Sequence, residues 1–132
     1  MARSFVVAEK PGATDFVTAI NALLAVLTDP TIIGVEFNVD ERQRRDQRVY
    51  SAVISYDTGG AALATPFLIR VDEAGSIADL KTALDAAIAA NPTYFWAATR
   101  YAYLYTGARN PRYIGITPYN VTGAASANWT SF

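Results

Sequence analysis

The chain has no cysteine and no histidine among its 132 residues. Without cysteine there is no disulfide framework, no thiolate nucleophile and no thiol ligand for zinc or an iron–sulfur cluster. Without histidine, the most frequent general base and the commonest transition-metal ligand are missing. These two absences exclude most hydrolase and metalloenzyme designs, so no catalytic residue, no cofactor and no metal site is expected. Charge is also sparse, at 17% of residues against 52% hydrophobic. No run approaches the roughly 18 uninterrupted apolar residues that read as a membrane span. The expectation is a water-soluble chain with adhesive surface and no membrane partner. The opening stretch from Met1 to Lys10 has too short an apolar run for a secretion signal. A cytoplasmic location, or a place within a virus particle, is therefore expected.

The length suits one domain, large enough to bury roughly 65–70% of the surface its unfolded form exposes. Net charge is −1, but its distribution says more than its total. Every acid lies at or before Asp85, whereas the remainder carries Arg100, Arg109 and Arg112 with no acid. That same stretch holds most of the aromatic residues, from Tyr94 to Phe132. Aromatics with arginine and without acids are enriched at binding surfaces.

Periodicity predicts the element order β-α-β-β-β-α-β-β. Ser4 to Ala8 reads as a strand ended by Pro11-Gly12. Phe16, Ile20, Leu23, Leu24 and Leu27 then form one helical stripe, capped at Thr14 or Asp15 and stopped by Asp29-Pro30. Thr31 to Val39 alternates, placing Ile33, Val35, Phe37 and Val39 on one face and Ile32 on the other. Its expected hairpin partner is Arg48 to Asp57. A further strand covers Thr65 to Asp72. Ser76 with Asp79 marks the start of a second helix, with a stripe of Ile77, Leu80, Leu84, Ala87 and Ile88 ended by Asn91-Pro92. Thr93 to Thr106 is the longest strand candidate, followed by a turn and a short strand from Arg112 to Thr117. The predicted fold is a single α+β domain over 1–117. It has an antiparallel or mixed sheet of five to six strands with both helices on one face. An extended aromatic tail over 118–132 follows, since that stretch shows neither helical nor strand period.

Three groups of residues invite a functional reading. Arg42, Arg44, Arg45 and Arg48 resemble a phosphate grip, but Asp40, Glu41 and Asp46 are interleaved and nearly cancel the field, so a solvated hairpin tip is expected. Tyr101, Tyr103 and Tyr105 share one strand face. With Arg100, Arg109 and Arg112 nearby they form a candidate base-stacking platform for nucleic acid. Three arginines are few for such a groove, and alternating tyrosines are ordinary strand formers at a sheet surface or subunit contact. Carboxylates such as Glu36, Asp57, Asp72 and Glu73 have no spacing that marks an acid–base pair or a cation loop. Gly59-Gly60 and Gly107 lack phosphate-loop spacing and read as turns.

An apolar sheet face, a charged hairpin and an aromatic tail are together expected of a small repeated component in a symmetric assembly. On composition alone, the leading expectation is a non-enzymatic virion component of a tailed phage: a capsid, decoration or tail subunit. Its expected partners are protein subunits, its own copies or others. The contacts are assigned to Tyr101, Tyr103, Tyr105, Arg109, Arg112, Tyr119, Trp129 and Phe132, with Trp129 and Phe132 as anchors. The alternative is a nucleic-acid-binding module that uses the tyrosine and arginine surface.

Overall fold

The computed structural model describes residues 2–41, 48–104 and 111–131. It is a small α+β domain built from two antiparallel sheets. The elements are β1 (Arg3–Pro11), α1 (Ala13–Ala25), β2 (Thr31–Glu41), β3 (Arg48–Asp57), β4 (Leu68–Ala74), α2 (Ile77–Ala90), β5 (Phe95–Trp96), β6 (Arg100–Leu104) and β7 (Arg112–Asn120). The first sheet has the order β1-β3-β2. In the second, β7 is central, with β4 on one side and β5 and β6 on the other. The single sheet expected from periodicity is therefore divided in two, because among the described residues β3 pairs with β1 and β2 and β4 turns away to pair with β7.

The two inner faces and α1 enclose one core. Phe16, Ile20 and Leu24 of α1 are buried together with Ile32, Tyr50, Ile54, Ile69, Ile114 and Ile116. Phe16 stacks on Tyr50 at 5.7 Å and meets Phe37 edge-on at 6.4 Å. Such pairs add to their area burial. Helix α1 begins at Ala13, earlier than the expected Thr14 or Asp15 cap. The cap is Gly12, whose φ of 82° places it in the region a glycine adopts without steric cost.

Helix α2 has the expected start, with Ser76 Oγ accepting from the Asp79 N–H at 3.1 Å. It does not share a face with α1. It lies on the opposite side of the second sheet, where a Cβ on Gly115 would stand 3.6 Å from both Leu80 Cδ1 and Leu84 Cδ2. A helix resting on one sheet needs a narrower stripe than one inside a core. Only Leu80 and Ala87 are buried, and Ile77 and Ile88 of the expected stripe are exposed.

Two irregularities redirect the strand faces. Between Ile32 and Gly34 the register of β2 shifts, so Ile32 and Val35 both enter the core, although strict alternation separates them. The long strand expected over Thr93 to Thr106 is broken into β5 and β6. Phe95 and Trp96 pair with Asn120 and Tyr119, whereas Arg100 pairs with Ile116, which leaves three residues facing two. The cause is Pro118. Its carbonyl accepts from the Ala97 N–H at 2.9 Å. In a strand, a residue's N–H and C=O point to the same neighbour, so the N–H that proline lacks is lost from this ladder.

Residues 118–131 are not the extended tail expected from their lack of period. Strand β7 continues to Asn120, and a 3₁₀ turn covers Gly123–Asn128. Polar side chains do what periodic hydrophobics do elsewhere. Buried Asn120 accepts from Thr65 Oγ1 and the Thr122 N–H and donates to the Thr65 carbonyl. Buried Asn128 donates to the carbonyls of Pro30 at 3.1 Å and Ala61 at 2.7 Å. Among the described residues, no helix is long and apolar enough to cross a membrane.

Candidate interaction surfaces

The outer face of the second sheet carries aromatic groups at both ends, with α2 between them. At one end, Tyr101 and Tyr103 of β6 are 55% and 47% exposed. Tyr101 lies opposite Gly115, and Tyr103 lies opposite Tyr113, with ring centroids 5.0 Å apart. Helix α2 packs on β4 and β7. At the other end, Tyr94, Trp96 and Tyr119 stack on one another. Trp96 and Tyr119 are 5.1 Å apart, and Tyr94 and Tyr119 are 6.0 Å apart with ring planes nearly parallel at 4°. Trp96 Nε1 donates to the Asn91 carbonyl at 3.0 Å. Burial pushes the Tyr119 phenol above its ordinary pKa, against the pull of Arg70. Tyr119 also lines a shallow groove of about 360 Å³ beside Asn21 and Arg70.

The bulge beside Pro118 decides which aromatics look outward. Phe95 enters the core, packed on Phe67 and Trp129, yet Ala102 and Leu104 enter the same core seven and nine residues later. An odd separation would put them on opposite faces of an uninterrupted strand. Tyr101 and Tyr103 are turned out, as alternation within β6 requires.

The remaining contact residues assigned from sequence divide sharply. Trp129 is not a free anchor. Its ring packs on Phe67 at 5.4 Å and Phe95 at 5.9 Å, and its Nε1 donates to the Ser131 carbonyl at 2.6 Å. Arg112 donates to Glu73 Oε1 at 2.8 Å, and the same oxygen receives Arg48 Nη1. Two guanidinium groups therefore share one carboxylate at the end of the core, and Arg48 belongs to that network. Arg100 sits on the face of β6 opposite Tyr101 and reaches Ser131 at 3.5 Å. Arg70 is held by Asp72 through two bonds of 2.8 and 2.9 Å. The described arginines around the tyrosines are thus engaged or turned away from them. Tyr105, Arg109, Phe132 and the cluster Arg42, Arg44 and Arg45 lie outside the described residues.

A second surface was not singled out by sequence. Among the described residues no helix lies over the outer face of the first sheet, which exposes Phe5 and Val7, each 60%, beside Val53. Ser51, Ser55 and Gly34 share this face with Glu36 and Asn38 of β2. Arg3 closes one end, bonded to Asp57 at 3.0 Å, and holds that carboxyl below its ordinary range. The signal was present as the alternation Arg3, Phe5, Val7, Glu9, but Ser4 to Ala8 is nearly apolar on both faces. Periodicity alone could not say which face looks out.

Comparison of the chain with protein-family models, with curated proteins and with solved structures finds no match.

Proposed function

We propose that the chain is a non-enzymatic structural subunit of a larger assembly, and in its sharper form a virion component of a tailed phage that contacts neighbouring protein subunits. The observation that carries the assembly reading is the pair of exposed sheet surfaces. Tyr101 and Tyr103 stand on the outer face of the second sheet, and Phe5 and Val7 stand on the outer face of the first. A subunit with neighbours on both sides needs two such surfaces. Tyrosine suits a contact because it supplies large, rigid area at low conformational cost. The tyrosine surface takes the role that sequence gave to Trp129, whose ring is committed to the core. The phage assignment rests on composition.

The nucleic-acid alternative requires cations beside the stacking rings. Among the described arginines, Arg112 and Arg70 are paired with acids and Arg100 faces away, which favours protein as the partner.

The test is native mass by light scattering over a concentration series, with Tyr101→Ser/Tyr103→Ser measured in parallel. An oligomer reduced by the double variant, with far-UV circular dichroism unchanged, is the expected result. A wild-type mass that the double variant leaves unaltered removes the tyrosine contact. Binding to single-stranded nucleic acid that weakens steeply with salt would move the reading to the alternative.

A further inference from the structure

The geometry points to the groove between α1 and β4 as a binding site for a neutral sugar ring. The site shares no residue with the contact at Tyr101 and Tyr103, and it stands whether or not the chain assembles.

Helix α1 forms one wall. Residues four apart share a helix side, so Ala13, Val17 and Asn21 make one row and Thr14 and Thr18 the next, both lining the groove. Strand β4 forms the other wall. Asn21 fixes the gap between them: its Oδ1 accepts from the Ile69 N–H at 2.8 Å, and its Nδ2 reaches the Ile69 carbonyl at 3.5 Å. The Ile69 N–H therefore points away from β7, and alternation sends the N–H and C=O of Val71 to the same side, along the groove. Arg70 and Tyr119 border it from the outer face of the sheet.

The chemistry of these walls selects the ligand. Charge cancels, because Arg70 is bonded twice to Asp72, at 2.8 and 2.9 Å, and no other described residue lining the groove is charged. Neither an anion nor a cation gains from such a site. The groups open to hydrogen bonding are chiefly hydroxyls. Those of Thr14, Thr18 and Tyr119 each donate and accept, and none is bonded within the described residues. Arg70 adds Nη1, the nitrogen that Asp72 leaves over. A ligand made of hydroxyls meets all of these in either sense. Between them Val17, Ile69 and the Tyr119 ring are apolar and suit the C–H face of a pyranose. A groove of about 360 Å³ lies at the small end of ligand sites, which run from roughly 300 to 1,000 Å³, and so takes one sugar ring rather than a long chain.

The polar groups are also in place before a ligand arrives. Tyr119 is stacked with Trp96 and Tyr94, and Trp96 is tied to the Asn91 carbonyl. Arg70 stands near enough to Tyr119 to oppose the rise that burial gives its phenol pKa. Side chains already immobilised lose little freedom on binding, which is what a shallow, wet groove requires.

The test titrates the full chain with glucose, galactose, mannose and N-acetylglucosamine, each carried well beyond the millimolar range, with backbone amides followed by NMR. Saturable shifts at Thr14, Thr18, Asn21 and Val71 with at least one of the four are expected. Thr14→Val/Thr18→Val removes two hydroxyls from exposed helix positions and keeps their shape. It is expected to weaken binding about tenfold or more, with the thermal midpoint unchanged. Tyr119→Phe, which keeps the ring, is expected to weaken it as well. No shift with any of the four sugars, shifts confined to other residues, or equal affinity in the double threonine variant overturns the proposal. Inorganic phosphate that moves the same amides at lower concentration than any sugar also overturns it, since the charge of Arg70 would then be uncancelled.

Discussion

Trp129→Ala is the substitution that best separates a folded C-terminal segment from a projecting one. The indole lies against Phe67 and Phe95 at 5.4 and 5.9 Å, and it bonds the Ser131 carbonyl. Removing a large aromatic from a core costs about 3–5 kcal/mol. Trp129 is only partly buried, so about 2–4 kcal/mol is expected. Loss of its ring also loosens the bridge to Ile32, where the segment closes the β2 edge. At about 3–5 °C per kcal/mol for a domain of this size, the thermal midpoint should fall by roughly 6–20 °C. The assay is thermal and urea unfolding followed by circular dichroism, with Trp96 left as the fluorescent probe of the variant. A midpoint unchanged from wild type, accompanied by loss of oligomer mass, would refute the intramolecular packing and return Trp129 to the role of an anchor on a neighbour.

Two further outcomes follow from buried polar groups. Glu73→Gln removes the charge shared by Arg48 and Arg112, leaving two guanidinium groups in mutual repulsion at a site mostly withdrawn from solvent. A loss of about 1–3 kcal/mol is expected in urea unfolding, and a variant as stable as wild type would show the network to be idle. Tyr50 is raised in pKa chiefly by burial, with Glu73 adding to it and Arg48 opposing. A group whose folded value is raised contributes stability that is complete below the unfolded value, near ~10 for tyrosine, and is lost as pH rises through the folded value. Stability should therefore fall on the alkaline side, and the Tyr50→Phe curve should be flatter there; equal slopes would contradict the burial argument.

Local chemistry made much of this fold legible. Strand β3 runs from Arg48 to Asp57 as alternation predicts, and α2 starts at the Ser76 cap. Helix α1 buries Phe16, Ile20 and Leu24 because a 3.6-residue period can face a core in only one way. That Tyr101 and Tyr103 share one face was also legible, since alternation within a short strand survives whatever happens beyond its ends; that this face looks outward was not.

What pattern reasoning could not reach depends on partners distant in sequence. The break beside Pro118 is felt by residues 97–99, across a ladder that exists only once β7 lies beside them. Asn120 and Asn128 hold the last residues in place through Thr65, Pro30 and Ala61, bonds that leave no hydrophobic period to read. The choice between Val6 and its neighbours Phe5 and Val7 as the inward face fell to the position of α1, not to composition. The absence of cysteine and histidine, the scarcity of charge and the α+β class of a single small domain belong to the sequence alone. Two sheets in place of one and the folded C-terminus belong to tertiary structure, because backbone pairing between distant segments decides which faces remain uncovered.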